Sequence, residues 1–274
     1  MKNLVKYIHV IAFFALVTNS VLAQNADTLI FQSRTVRSVG GGFPTLNYPL
    51  LSPLNHSGYS IGFISTRLRE KPEYLSQFQT HFEMGSLYNY ANDLYITTLK
   101  FNGALSRHWQ INDNSTRPLS LFFGGTSDIG LNIFMKDDNT NNPLAYFFNI
   151  SVSPGILAKY QFNINNSSFV LGQQIDIPFV SLVSTSDYSS SLPPPFLEKE
   201  ANFFEAMRLV SVRSLQKCVI ITTLEINTSL QQRKKFPVVR INYIFTGMNY
   251  KNRDLTIKSA DHLIVFGVVF YLFR

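Results

Sequence analysis

The sequence predicts an all-β protein: a transmembrane antiparallel β-barrel of about ten strands, preceded by a short N-terminal lead-in. Only 15% of the residues are charged and 14% are aromatic, whereas a typical soluble domain is about 25% charged. Segments that alternate polar and apolar residues recur along the chain. The C-terminal residues 262–274 are a nearly continuous apolar run. This run is too short for a spanning helix of about 20 residues but suits a tilted spanning strand of about 9–11.

The first 23 residues have the pattern of a secretory signal peptide. Lys2 and Lys6 precede an apolar stretch, and Val21-Leu22-Ala23 has the small-residue pattern of a cleavage site. No cysteine follows Ala23, which excludes a lipoprotein signal. An exported chain with no further long apolar run fits a barrel, because only helices and closed barrels satisfy all backbone polar groups in lipid.

Residues 24–55 are predicted to be a periplasmic lead-in or a partial plug of the barrel. Arg34 and Arg37 lie within the part of this segment that could otherwise form a strand, and Gly40-Gly41-Gly42 is expected to break that strand. The barrel itself is predicted over residues 56–274.

Ten alternating segments are predicted to be the barrel strands. In segment 75–87, Phe78, Phe82 and Met84 lie opposite Gln77 and Glu83, which makes it the clearest of them. Pro154-Gly155 predicts a bulge within the fifth segment. In chain order the segments are residues 56–66, 75–87, 95–109, 119–135, 145–163, 168–183, 202–214, 217–230, 237–249 and 262–274.

The strand count leaves alternatives open. Segment 202–214 is the weakest, because Arg208 and Arg213 fall on opposite faces. A barrel of eight or twelve strands stays possible, since this segment could drop out and the lead-in could add strands. With ten strands both ends lie on the periplasmic side, which places the polar connection 184–201 in the periplasm and residues 248–261 outside. A core strand of a soluble β-sandwich is the alternative for residues 262–274.

The polar faces of the segments are predicted to meet in one narrow lumen. Small barrels have interiors that side chains fill, and buried charges need partners. We therefore expect an ion-pair network that plugs the lumen and leaves no aqueous channel. Its predicted members are His81, Glu83, Lys100, His108, Asp128, Lys159, Asp176, Glu225 and Arg240.

The sequence predicts no catalytic residue, no cofactor site and no metal site. A lipid hydrolase or acyltransferase would pair a histidine with a serine on one face, but His56 and Ser57 are adjacent and so point to opposite faces. A metal site formed by His81, Glu83 and His108 across neighbouring strands is the weaker alternative to hydrogen bonding by these groups. The single cysteine, Cys218, excludes a disulfide within the chain and a cysteine-rich metal site.

Two resemblances support export to an outer membrane. Gly267, Phe270 and Leu272 resemble the C-terminal signal by which bacterial barrels are recognised by the insertion machinery. The residues Tyr48-x-Leu50-Leu51-Ser52-Pro53-Leu54, Ser57-Gly58 and Arg67-x-Arg69 resemble the opening of a family of exported Bacteroidetes-type proteins that carries a domain of unknown function. This second resemblance covers mainly residues 40–69. It implies an outer-membrane barrel and no known activity.

The function predicted from these observations is structural. The chain is expected to be a monomeric bacterial outer-membrane protein that serves as a binding or scaffold protein of the cell envelope. A small pore or transporter and a lipid-modifying enzyme are the alternatives. Expected partners are outer-membrane lipids and lipopolysaccharide, the barrel-insertion machinery and an envelope protein. The formal charge is +7, but the sequence has no basic cluster interleaved with stacking aromatic residues. A nucleic-acid partner is therefore not expected.

Overall fold

The computed structural model describes residues 32–49, 51–71, 73–91, 93–112, 118–136, 144–164, 167–186, 207–227, 238–252 and 255–272. The predicted signal peptide lies outside these residues. No helix among the described residues is long and apolar enough to cross a membrane.

The described residues form twelve strands, each of which pairs in the antiparallel sense with its neighbours. They are β1 (Gln32–Tyr48), β2 (Ser52–Glu70), β3 (Tyr74–Asn89), β4 (Leu94–Gln110), β5 (Leu119–Lys136), β6 (Leu144–Ile164), β7 (Ser167–Asp176), β8 (Val180–Thr185), β9 (Arg208–Ser211), β10 (Leu215–Asn227), β11 (Val238–Asn252) and β12 (Leu255–Leu272).

These strands close into a barrel. Consecutive strands pair from β1 to β7, β10 to β12 continue the wall, and β1 pairs with β12. Because β7 and β8 both pair with β6, they form one wall strand in two parts. In the same way β9 pairs with β8 and β10 with β7, so β9 and β10 form another. The described part of the chain is thus a closed ten-stranded transmembrane antiparallel barrel, which confirms the predicted fold class.

The barrel begins earlier than predicted. Strand β1 lies within residues 24–55, the predicted lead-in, and pairs with β2 on one side and β12 on the other. The lead-in interpretation is therefore wrong for Gln32–Tyr48. The glycine run does not break the strand, because it lies where neighbouring strands come close: a Cβ at Gly40 would collide with the backbone of Ile264. Glycine here permits a close backbone approach.

The seventh and eighth predicted segments are parts of one wall strand. The strand count of ten is right because this merger offsets the added β1. The predicted irregularity at Pro154 is present, but the extra residue lies on the partner: Gly155 pairs with Asp176 and Val152 with Val180. Between these two pairs, β6 has two residues and the partner strand has three, Ile177-Pro178-Phe179. The bulge belongs to the β7–β8 strand.

The two ends of the barrel differ in their connections. We call the end that holds the start of β1 and the end of β12 the terminal end, and the opposite end the loop end. The β8–β9 connection, residues 186–207, and the β11–β12 turn both leave the loop end. The prediction that residues 184–201 share a side with the termini is therefore wrong. The added strand β1 reverses the strand count, so that β8 ends and β9 begins at the loop end.

The outward face of the barrel is apolar. Exposed Phe63, Phe101, Ile129, Ile156 and Phe266 belong to it. Aromatic residues gather near both rims, as in membrane barrels: Tyr88 packs with Tyr90 and Tyr95 towards the loop end, and Trp109 and Tyr160 are exposed towards the terminal end. The face suits a hydrocarbon environment bordered by two interfaces.

The strands are tilted relative to the lumen. Val36 on β1 and Phe122 on β5 belong to the same buried apolar cluster, so they lie at a similar depth in the lumen. Val36 is not in register with Phe122, however. The row of residues paired strand by strand from Val36 reaches β5 at Asp128, by way of Thr66, Gln79 and Ala104. Asp128 is six residues further from the terminal end than Phe122, about 20 Å of strand. Rows of paired residues therefore climb towards the loop end from β1 to β5.

Candidate functional site

The lumen is the candidate functional site, and apolar side chains fill it at both ends. At the loop end, a layer that includes Tyr48, Phe134, Phe147 and Tyr250 draws on strands around most of the wall. At the terminal end, a smaller layer contains Leu68, Leu75, Phe122, Leu157 and their neighbours. These side chains are buried, so they narrow the lumen at both ends.

A polar cavity of about 130 Å³ lies between the two apolar layers. Side chains of Glu83, Lys100, Asp128, Asp176 and Lys217 line it. A smaller cavity of about 40 Å³ lies beside Arg34, Lys159 and Arg240. Both are small against ligand pockets of about 300–1,000 Å³. The larger one has room for a few ordered waters, each of which needs two to four polar partners.

Lys100 connects two walls of the cavity. Its Nζ donates to Glu83 Oε1 at 3.1 Å, on the neighbouring strand β3, and to Asp261 Oδ1 at 2.5 Å, on β12. His81 Nε2 lies 3.4 Å from Glu83 Oε2. One lysine thus holds together two carboxylates, Glu83 and Asp261, that lie far apart in the sequence.

Lys217 and Asp128 form a second bridge across the lumen. Lys217 Nζ donates to both carboxylate oxygens of Asp128, at 2.7 and 3.2 Å. Asn149 Nδ2 also donates to Asp128, at 3.4 Å, and to Ser151 Oγ, at 2.9 Å. Both charged side chains are less than one tenth exposed. This buried pair is accompanied by the additional hydrogen bonds that such a pair needs.

A five-residue charge cluster lies towards the terminal end. Arg34 donates to Glu225 at 2.7 Å and to Glu70 at 3.2 Å. Lys159 Nζ donates to Glu70 at 2.6 Å, and Arg240 Nη1 lies 3.4 Å from Glu225. The two glutamates therefore each contact two cations. The cluster joins β1, β2, β6, β10 and β11.

Arg240 has further polar partners. Its Nε donates to Asn242 Oδ1 at 2.9 Å, and its Nη2 donates to Thr223 Oγ1 at 3.3 Å. The Thr223 hydroxyl donates to the same Asn242 oxygen, at 2.9 Å. These contacts fix the plane of the guanidinium group against the barrel wall.

His108 and Asp176 form the least satisfied part of the lumen. His108 is fully buried, and its Nε2 lies 3.9 Å from Asp176 Oδ1, beyond hydrogen-bond distance. Neither ring nitrogen has a partner among the described residues. Gln174 Nε2 donates to the other oxygen of Asp176 at 2.6 Å. The gap between His108 and Asp176 has the polar surroundings of a bridging water.

The structure places all nine predicted network residues in the lumen wall. Eight of them fall into the groups just described: His81, Glu83 and Lys100; Asp128; Lys159, Glu225 and Arg240; and Asp176. His108 faces Asp176 at the longer distance given above. The nine do not form one continuous network but several separate groups.

Four partners in these groups were missed from the sequence. Arg34 lies in the predicted lead-in, and Asp261 lies just before the predicted closing strand. Glu70 continues the inward series Thr66, Leu68, Glu70 beyond the predicted end of its segment. The continued alternation was the available signal for Glu70. Lys217 begins a predicted segment but was not assigned to its inward face.

The alternative sites from the sequence do not form. His56 is buried while Ser57 is exposed, as adjacent strand residues must be. His56 Nδ1 instead lies 3.0 Å from the carbonyl oxygen of Leu54. Within the described part of the chain, no group of three or more His, Cys, Asp or Glu side chains is arranged to hold a metal ion. His81 and Glu83 are close, but His108 lies beside Asp176 instead.

The family model described as "Protein of unknown function (DUF3316)" matches residues 8–274. The chain belongs to this family. The family match covers nearly the whole chain. The resemblance described from the sequence, to a family that carries a domain of unknown function, covered mainly residues 40–69. No curated protein matches the chain.

Solved outer-membrane structures resemble the chain weakly. The translocator domain of autotransporter NalP from Neisseria meningitidis has 8% identity and a TM-score of 0.43, with 97% of this chain and 96% of that chain covered. The transport unit of autotransporter AIDA-I from Escherichia coli has 11% identity and a TM-score of 0.44, with coverage of 96% and 97%. The outer membrane protease OmpT from Escherichia coli has 6% identity and a TM-score of 0.46, with coverage of 91% and 99%. The barrel assignment itself rests on the closed ladder of strand pairs.

Proposed function

We propose that this member of the family is an integral protein of the bacterial outer membrane that acts as a structural or interaction protein of the cell envelope. The observation that carries the proposal is the filled lumen: apolar layers at both ends enclose separate groups of buried ion pairs. A barrel that conducts needs a continuous polar path. A barrel whose lumen is filled offers its rims and outer face for function.

The proposed binding surface is the loop end. The longest connection, residues 186–207, leaves this end, and Tyr90 there is 89% exposed. Binding residues are disproportionately found on loops that a rigid scaffold positions. We propose that an envelope protein contacts this end and that the barrel itself is a monomer. The resemblance over residues 40–69 further suggests a source in the Bacteroidetes group.

Planar-bilayer recording of the refolded protein tests the filled lumen. Heat-modifiable gel migration first shows that the barrel has formed, and an open porin recorded in the same bilayers shows that channels would be detected. We expect no unitary currents from this protein. Stable, ion-selective currents from the folded barrel would refute the proposal.

A site-specific photocrosslinker tests the interaction role. Placed at Tyr90 in living cells, it is expected to yield one reproducible protein adduct, whereas the same crosslinker at Tyr160, on the lipid-facing wall near the terminal end, yields none. Equal adduct patterns at both positions would contradict a binding surface at the loop end.

A small pore is the second candidate. The polar cavity favours it, because the described hydrogen bonds leave the Thr126 hydroxyl and Asp176 Oδ1 unpartnered beside a space of about 130 Å³. Rearrangement of the apolar layers would be required to connect this cavity to either side. Currents that occur only at high voltage would support this candidate over the permanently closed barrel.

A lipid-modifying enzyme has less support. Among the described histidines, the hydrogen-bond contacts go to Leu54 and Tyr243, and no histidine is bonded to a serine. Release of fatty acid from phospholipid vesicles by the refolded protein would be the decisive result in favour of this candidate.

A further inference from the structure

A row of small side chains forms a furrow in the outward face of the barrel. Ser65 on β2 pairs with Thr80 on β3, which pairs with Gly103 on β4. Each lies on the outward face, where Thr80 stands between two phenylalanines, Gly103 between Phe101 and Leu105, and Ser65 between Phe63 and an arginine. The resulting open groove has a volume of about 710 Å³.

Large apolar residues wall the furrow on its loop-end side. The adjacent outward row contains Phe63, Phe82 and Phe101, paired across β2, β3 and β4, and continues to Leu131 and Phe148. The rings of Phe82 and Phe101 pack at a centroid distance of 5.0 Å. These side chains line the groove together with Ile129. The furrow is therefore an open groove with an apolar, aromatic lining.

Arginine lies at one end of the furrow. Arg37 pairs with Ser65 and lines the groove. Arg67 is two residues beyond Ser65 on the same face of β2, and its partner on β1 is Thr35. This places it diagonal to Arg37 across the two strands, a separation within reach of long side chains. Arg69 follows two residues later, and all three arginines are exposed.

These arginines have no ion-pair partner within the residues that the structure describes. The acidic residues of β1 to β4, Glu70 and Glu83, contact lumen partners, and the outward positions of these strands carry no Asp or Glu. Glu73 lies in the neighbouring turn. The outer wall of β1 and β2 thus presents positive charge at the edge of an apolar surface.

The furrow has a direction within the membrane. Rows of paired residues climb from the terminal end towards the loop end between β1 and β5, as the positions of Val36, Phe122 and Asp128 show. Arg37 on β1 is therefore the low end of the furrow, and Ile129 on β5 is the high end. A molecule with an anionic head at Arg37 would extend its tail into the middle of the bilayer.

We propose that this furrow binds an acidic glycerophospholipid from the leaflet at the terminal end. Its phosphate contacts Arg37 and Arg67, and one acyl chain lies along Ser65, Thr80 and Gly103 against the phenylalanine wall. Guanidinium groups bind phosphate oxygens in a bidentate manner, and clusters of basic residues beside a membrane recognise anionic lipid heads. The polarity of the furrow selects this leaflet, because a lipid of the opposite leaflet would direct its tail the other way.

Native mass spectrometry of the refolded barrel in detergent tests the proposal. The probes are phosphatidylglycerol and phosphatidylcholine with identical acyl chains, and lipid A as the characteristic lipid of the other leaflet. Each variant is first checked for heat-modifiable migration. Because all substitutions lie on the outward face, they leave the lumen contacts in place.

Two variants separate the head from the tail. Arg37→Gln with Arg67→Gln removes the phosphate contacts and leaves the furrow, and we expect phosphatidylglycerol binding to weaken about tenfold to thirtyfold. Thr80→Phe fills the furrow and leaves the arginines, and we expect a loss of bound phosphatidylglycerol of similar size. Lys251→Gln with Lys258→Gln is the matched control, because these lysines are exposed near the loop end. The control is expected to bind as the wild type does.

Preference for phosphatidylglycerol over phosphatidylcholine, lost in both test variants and kept in the control, is the predicted result. Equal binding of the two phospholipids, or unchanged binding by the double arginine variant, would overturn the proposal. So would unchanged binding by Thr80→Phe, because the acyl chain would then lie elsewhere. Preferential binding of lipid A that depends on Lys251 and Lys258 would place the occupant in the opposite leaflet and overturn it as well.

Discussion

Lys217 Nζ lies 2.7 Å from Asp128 Oδ1 across the lumen, although their strands, β10 and β5, are separated in the wall by β6 and β7. This ion pair therefore links parts of the wall that share no backbone hydrogen bonds. Lys217→Met should leave the Asp128 carboxylate buried with only Asn149 beside it. We expect the free energy of unfolding to fall by about 3–5 kcal/mol, measured by urea titration of the refolded barrel with Trp109 fluorescence as the readout.

The control for this prediction is Lys251→Met, which changes an exposed lysine near the loop end and should alter stability by less than about 0.5 kcal/mol. Asp128→Asn combined with Lys217→Met should recover part of the loss, because the unpaired charge is then removed. Equal stabilities of the two lysine variants would contradict the role assigned to the bridge.

The charge cluster at the terminal end predicts unequal effects for two partners in one ion pair. Glu70 contacts both Lys159 and Arg34, whereas Lys159 has Glu70 as its ion-pair partner. Glu70→Gln removes the carboxylate that both Arg34 and Lys159 contact. Lys159→Met removes only one of these two contacts, because Glu70 stays paired with Arg34. We expect Glu70→Gln to be the more destabilising change by about 1–3 kcal/mol, as determined from paired urea titrations. The reverse order would show that burial of the lysine stem dominates.

Two glycines of the lumen wall, Gly155 and Gly172, are expected to differ in how well they tolerate substitution by alanine. A Cβ at Gly155 would collide with Asp176 Oδ1 and approach His108 Nε2, whereas a Cβ at Gly172 would meet Thr223 at an ordinary contact distance of 3.6 Å. Gly155→Ala should cost about 1–3 kcal/mol, because the buried Asp176 carboxylate, which Gln174 holds, must shift. Gly172→Ala should be nearly neutral. Thermal unfolding of the two variants side by side provides the measurement, and similar melting temperatures would count against the packing at Gly155.

The connection between β8 and β9 should be accessible from outside the cell if the termini are periplasmic. An epitope tag inserted after residue 195 is expected to bind antibody on intact cells. The same tag inserted between residues 165 and 166, in the terminal-end turn between β6 and β7, should require permeabilised cells. Labelling of the second tag on intact cells would mean that the barrel is inserted in the opposite orientation.

The barrel could be predicted from the sequence because alternation has the same period throughout the wall. Strand β3 shows this most simply: Gln77 and Glu83 are buried and Phe78 and Met84 are exposed, as a polar lumen and a lipid-facing exterior require. The closing run at the C-terminus is likewise part of a strand, although β12 begins seven residues earlier than predicted, at Leu255 rather than His262.

The errors arose where local rules conflict with the tertiary environment. The run Gly40-Gly41-Gly42 has weak intrinsic strand propensity, but a Cβ at Gly40 would collide with β12, and one at Gly42 would collide with both β2 and β12. An arginine at position 34 was predicted to interrupt a strand, but Arg34 is largely buried beside the carboxylates of Glu70 and Glu225, which lie 36 and 191 residues away in the sequence. No pattern within a single segment identifies such partners. The pairing of lumen charges depends on which strands face each other across the barrel, and the sequence alone does not specify this.

The pairing of β1 with β12 has a consequence for biogenesis. The register runs from Ser33 with Leu272 to Asn47 with Lys258, so the seam joins the two ends of the described chain. Contacts of such large sequence separation carry the greatest loop-closure entropy and tend to form slowly. Until the seam forms, β1 and β12 each expose an unpaired edge that lipid cannot satisfy. The edges of the unclosed sheet must therefore be shielded from lipid until this seam forms, and ring closure is expected to be the committing step of its assembly.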